Sequence, residues 1–95
     1  MTETNPEPVA IPIDGILDLH TFAPRDVPSV VKEYLRACHE KGIYEVRIIH
    51  GKGKGVLRQT VHKFLEGDPK VVDFHLDSGP SSWGATMVYL KHDRG

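Results

Sequence analysis

Cysteine is almost missing from this 95-residue chain, and the single Cys38 excludes an intramolecular disulfide and a cysteine-cluster zinc site, which fits a reducing compartment. Long apolar runs are missing too: nothing approaches the ~20 residues of a membrane-spanning helix, and the N-terminus lacks the basic and hydrophobic regions of a secretory signal. A cytoplasmic protein without membrane association is therefore expected. There is no large charge of either sign, since the net charge is −1 and the pI near 6.6, so no general attraction to polyanions follows. Neither a repeat nor a low-complexity segment is present. Two local absences say more. Residues 1–18 carry Glu3, Glu7, Asp14 and Asp18 but no base, whereas residues 47–63 carry Arg47, Lys52, Lys54, Arg58 and Lys63 but no acid.

What is present is an ordinary globular composition, 39% hydrophobic and 26% charged, in a length suited to one domain. The basic stretch has a definite form. Tyr44 to Ile49, with the β-branched run Glu45-Val46-Arg47-Ile48-Ile49, reads as a strand, His50-Gly51-Lys52-Gly53-Lys54-Gly55 as a glycine loop, and Val56-Leu57-Arg58 as the start of a helix. Glycine at every second position lets the backbone adopt positive φ and lets a phosphate come close. The unpaired N–H groups at the head of the helix face the same loop, between Lys52, Lys54 and Arg58, and this is a ready anion site. His50 beside it adds a group that can move protons near neutral pH.

Residues 1–13 read as a flexible polar tail and residues 14–95 as the domain. Ile16 to His20 has the alternation of a strand, placing Asp18 and His20 on one face and Leu17 and Leu19 on the other. Val27, Val30, Val31, Tyr34, Leu35 and Cys38 follow helical spacing up to Gly42, with Pro28 in the first turn. Leu57, Thr60, Val61, Phe64 and Leu65 form the buried stripe of a second helix, stopped by Gly67-Asp68-Pro69. A third strand runs from Val71 to Leu76 with Val72, Phe74 and Leu76 on one face. A loop follows from Asp77 to Gly84, and a fourth strand from Ala85 to Lys91.

The order β-α-β-α-β-β predicts an α/β fold, a two-layer sandwich with a four-stranded mixed sheet and both helices on one face. A right-handed crossover makes the first two strands parallel neighbours, so His20 and His50 are expected to meet at the strand ends beside the glycine loop.

Leu17-Asp18-Leu19-His20, then His50-Gly51-Lys52-Gly53 followed by Val56-Leu57-Arg58, then Gly84-Ala85-Thr86 leading into a β-run, resemble the three sequence marks of the small MutS-related (Smr) domain. The likeness covers roughly residues 14–91. It implies the fold of a translation initiation factor C-terminal domain, which agrees with the element order above, and an activity as a DNA-nicking or RNA-cleaving endonuclease. The same resemblance implies a catalytic pair at Asp18 and His20, a second motif at His50, Gly51 and Gly53, and a basic residue at Arg58. Thr21 and Ser81-Ser82 stand where the family usually has glycine.

Together these readings give an endonuclease of RNA or DNA. His20 is the general acid or base, Asp18 orients it, His50 assists, and Gly51, Lys52, Gly53, Lys54, Gly55 and Arg58 hold a phosphate. Nucleic acid is the expected partner, and a monomer is expected. The motifs demand no cofactor; a divalent metal stays open, including zinc on His20, His50 and Asp18. The alternative is a non-catalytic nucleic-acid-binding module using the same loop, which Thr21 and Ser81-Ser82 favour. Trp83 is either a hydrophobic plug or a stacking platform for a base.

Overall fold

The structure is a computed structural model and describes residues 12–51, 55–77 and 84–92. Four strands and two helices follow in the order β1 (Ile16–Asp18), α1 (Val27–Glu40), β2 (Glu45–Ile49), α2 (Val56–Gly67), β3 (Val71–Leu76) and β4 (Ala85–Leu90). Short 3-10 turns at Leu19–Thr21 and Pro24–Asp26 join β1 to α1. The sheet runs β1-β2-β4-β3, with β1 parallel to β2 and the other pairs antiparallel. It is the mixed four-stranded sheet that the element order predicts. Residues 1–11, most of the expected tail, and the Ser81, Ser82 and Trp83 readings lie outside the described residues.

The register explains which face is dry. Leu17 stands opposite Ile48 and Ile48 opposite Thr86, while Val46 stands opposite Val88 and Val88 opposite Phe74. These rows face the helices, where Val31, Tyr34, Leu35 and Cys38 of α1 and Val61 and Leu65 of α2 close one core. On the other face Ile16, Arg47, Met87 and His75 form a row bordering solvent, because side chains alternate across the pleat. Arg47 forms an ion pair with Asp77 beside that row.

Helix α1 ends as its sequence requires. Gly42 has φ +78°, and Ile43 N–H reaches back to the Cys38 carbonyl at 2.8 Å, a 6→1 closure that only a left-handed residue permits cheaply. Before β1, the Tyr34 hydroxyl accepts from Gly15 N–H at 3.1 Å and sits 3.0 Å from the Ile16 carbonyl, anchoring the entry to the sheet.

Two strands differ from their expected alternation. β1 stops at Asp18 instead of running to His20, because the Asp18 carboxylate accepts the His20 N–H at 2.9 Å and diverts the chain into a 3-10 turn. In β3 the register jumps between Val71 and Asp73, leaving Val72 as the extra residue of a bulge. Val71 thereby joins Phe74 against the core, and Val72, expected on that same face, is 63% exposed.

Candidate active site and phosphate loop

Asp18 occupies two donors at once. Its Oδ1 accepts the backbone N–H of His20 and the His20 ring Nδ1, each at 2.9 Å. A carboxylate accepts only, so Nδ1 carries a proton and Nε2 is the ring nitrogen that can exchange one. The His20 side chain is 76% exposed, so that nitrogen is reachable from solvent. The His20 backbone N–H, then its ring, hold the Asp18 carboxyl below its usual 3.8. A fixed carboxylate, an oriented imidazole and an open second nitrogen are the parts of an acid–base pair.

His50 is differently placed. It follows β2 directly and is only 8% exposed. Its Nδ1 lies 3.0 Å from the Gly51 carbonyl and its Nε2 2.8 Å from Thr86 Oγ1, so both ring nitrogens have partners. Burial, and after it the charge of Arg58, push its pKa below 6.5 against the opposing pull of the Gly51 carbonyl. The Asp18 Cα pairs with that of Ile49, so Asp18 and His50 reach the same end of the sheet. Side-chain alternation sends them to opposite faces, Asp18 with Ile49 on the open face and His50 with Ile48 toward the helices. The expected meeting of His20 and His50 is thus a shared sheet end without a direct hydrogen bond. Among the described residues no three His, Cys, Asp or Glu side chains are gathered closely enough to hold a metal ion, so the zinc set of His20, His50 and Asp18 is not assembled.

The glycine loop is pinned at both described ends. The N–H groups of His50 and Gly51 both reach the Gly84 carbonyl, at 2.9 and 2.7 Å, tying the end of β2 to the start of β4. The Gly51 amide is therefore spent inside the protein. Lys52, Gly53 and Lys54 lie outside the described residues. Gly55 precedes α2 at φ +84°, and the Gln59 N–H closes the first helical bond onto its carbonyl at 2.9 Å. The first-turn amides of Val56 and Leu57 have no helical acceptor. The Arg58 guanidinium folds back over Gly55, so near that a Cβ at Gly55 would stand 2.8 Å from Nη2. This combination of unpaired amides, helix dipole and a nearby guanidinium can hold an anion.

Two residues at the site had no place in the expected set. Thr86 is fully buried, and its hydroxyl meets His50 and also His62 Nε2 at 2.7 Å. Burial, then His50 and Arg58, lower the His62 pKa, with Glu66 acting the other way. Thr86 stood in the third motif only as the residue after Gly84-Ala85; the mark that His62 offers in sequence is its position one helical turn beyond Arg58.

Fold and site together define a class: a small two-layer α/β domain with a glycine-led helix N-terminus under an arginine and an exposed imidazole–carboxylate pair at one sheet end. The family model of the Smr domain matches residues 17–91, and the chain belongs to that family. It is 38% identical over 76 residues to the endonuclease MutS2 of Acetivibrio thermocellus and 39% identical over 80 residues to that of Caldicellulosiruptor bescii. Those matches cover 79% and 83% of this chain but only 10% of either MutS2 protein. The crystal structure of the Smr domain of Thermus thermophilus MutS2 superposes with a TM-score of 0.73 at 31% identity, over 80% of this chain and 96% of that one. YdaL, a stand-alone small MutS-related protein from Escherichia coli, has the same fold, with a TM-score of 0.75 at 24% identity over 84% of this chain and 66% of that one.

Proposed function

We propose that this domain is a nucleic-acid endonuclease that cleaves RNA, with His20 as the acid–base group, Asp18 as its orienting carboxylate, and the head of α2 with Arg58 as the phosphate holder. The observation that carries the reading is the Asp18–His20 pair, because both its bonds are spent on one geometry and the remaining ring nitrogen is open. Lys52, Gly53, Lys54 and Gly55 complete the phosphate loop in this reading, and the name of the MutS2 relatives as endonucleases supports the class.

RNA carries its own nucleophile, so one well-placed base is enough to start the reaction. His20 Nε2 takes the 2′-hydroxyl proton, the 2′ oxygen attacks phosphorus, the bond to the 5′ oxygen breaks, and that oxygen takes a proton from water. Developing charge on the phosphoryl oxygens falls on the α2 amides and Arg58. His50, with both nitrogens occupied, shapes the loop and does not exchange protons with substrate.

A 2′-deoxy substitution at the cleaved nucleotide, assayed in excess chelator with highly purified protein, tests the reaction. Loss of cutting at that position is expected. Continued cutting makes water the nucleophile and moves the reading to DNA nicking or a metal-assisted site. The occupied ring of His50 favours a second reading, a binding module without turnover, and intact RNA with retained binding would select it.

A further inference from the structure

The interior bonds around Thr86 have a direction that elementary hydrogen-bond inventory determines. The Gly51 carbonyl only accepts, so His50 Nδ1, 3.0 Å away, carries a hydrogen. A neutral His50 then presents a lone pair at Nε2, and the partner 2.8 Å away is the Thr86 hydroxyl, which must donate to it. Thr86 owns one proton. With that proton given to His50, its oxygen accepts from His62 Nε2, 2.7 Å away on helix α2, which must be protonated there. Every polar atom of the fully buried Thr86 side chain is thus used, in the row of the sheet that faces the helices. The charge of Arg58 disfavours protonation of either ring, while Glu66 counters that effect at His62.

We propose that His62 is a positioning residue of this site: by donating to Thr86 it commits the threonine proton to His50, holds His50 as the Nδ1–H tautomer, and so fixes the Gly51 carbonyl at the entrance of the glycine loop. Helix α2 then serves the loop twice, with its amides at the N-terminus and with His62 in its second turn. The effect on nucleic-acid affinity rests on the function proposed above; the tautomer does not.

Long-range 1H–15N spectra of histidine-labelled protein read the assignment directly. Wild type is expected to show His50 with protonated Nδ1 and bare Nε2, and His62 with protonated Nε2. Thr86→Val keeps shape but removes the hydroxyl, and His62→Phe keeps a ring beside Phe74, 5.0 Å between centroids, but removes the donor. His62→Phe is expected to give His50 a mixture of tautomers, because the Thr86 hydroxyl can then accept as well as donate. Thr86→Val is expected to keep Nδ1–H on the Gly51 carbonyl but to move the Nε2 resonance, and each variant is expected to weaken binding of a short RNA roughly 2- to 10-fold, the worth of one hydrogen bond. Thr86→Ser restores both resonance and binding. A wild-type His50 protonated at Nε2 alone, or His50 nitrogen shifts unmoved by His62→Phe, overturns the assignment, and the first needs no variant to fold. Wild-type protein that ignores RNA while showing the expected tautomers instead counts against the nucleic-acid reading and supports this one.

Discussion

Gly55→Ala separates two roles that one residue combines. At φ +84° an alanine pays the left-handed penalty, about 1–2 kcal/mol. For a domain of 95 residues, about 4–8 °C per kcal/mol turns that into a fall in melting temperature of roughly 4–16 °C. The new Cβ would also stand 2.8 Å from Arg58 Nη2 and 3.4 Å from its Cζ, so the guanidinium must swing away. Since the far end of a flexible side chain moves cheaply, the stability cost of that second effect is small. Its cost in binding is not, because a charged hydrogen bond to phosphate contributes about 1.5 kcal/mol or more, on the order of ten-fold in affinity. Gly42→Ala is the control: φ is +78°, nothing lies within 4 Å of the new Cβ, and Gly42 precedes β2 whereas the loop follows it, at the other end of that strand. Gly55→Asn tolerates the left-handed backbone but keeps the Cβ, so it should recover melting temperature without recovering affinity. Thermal melts beside fluorescence-anisotropy titrations of a labelled oligonucleotide give both quantities. Equal affinity in Gly55→Ala and Gly42→Ala would refute the placement of Arg58 as a phosphate ligand.

Three further outcomes follow from the same geometry. Arg58→Ala should reduce the magnitude of the salt slope of oligonucleotide binding by about 0.7 to 0.9; an unchanged slope means that this side chain meets no phosphate. His20→Ala should lower RNA cleavage by about two to four orders of magnitude with little change in melting, since the ring is 76% exposed; an unaltered rate removes His20 from the chemistry. His50 and His62 both have pKa values below 6.5 in the folded state, so the unfolded chain binds more protons and stability must fall as pH drops below 6.5. Urea midpoints at pH 7.5 and 5.5 should show that fall, and a His50→Gln, His62→Gln double variant should show less of it; an undiminished fall places the proton uptake elsewhere.

Local periodicity by itself determined most of this protein. Helical spacing from Val27 to Cys38 and from Leu57 to Leu65, alternation through Val46 and Ile48, and the stops at Gly42 and Gly67-Asp68-Pro69 are consequences of which side chains must leave water, and each is written within a few residues. The motif at Asp18 and His20 was legible too, although its geometry was not. Alternation assigns the two residues to one face of a strand, whereas a carboxylate two residues before an amide captured that amide and ended the strand. The bulge at Val72 lay equally out of reach, because it exists only in the register of β3 on β4, a pairing between distant segments. Only the tertiary structure brought Thr86 between His50 and His62, partners 36 and 24 residues away in sequence. No local pattern records such a contact: it is decided by which strand lies at the centre of the sheet and which face of α2 descends upon it. The sequence therefore determined the elements and the chemical groups, and the packing of sheet against helix decided which ring nitrogens are free to act.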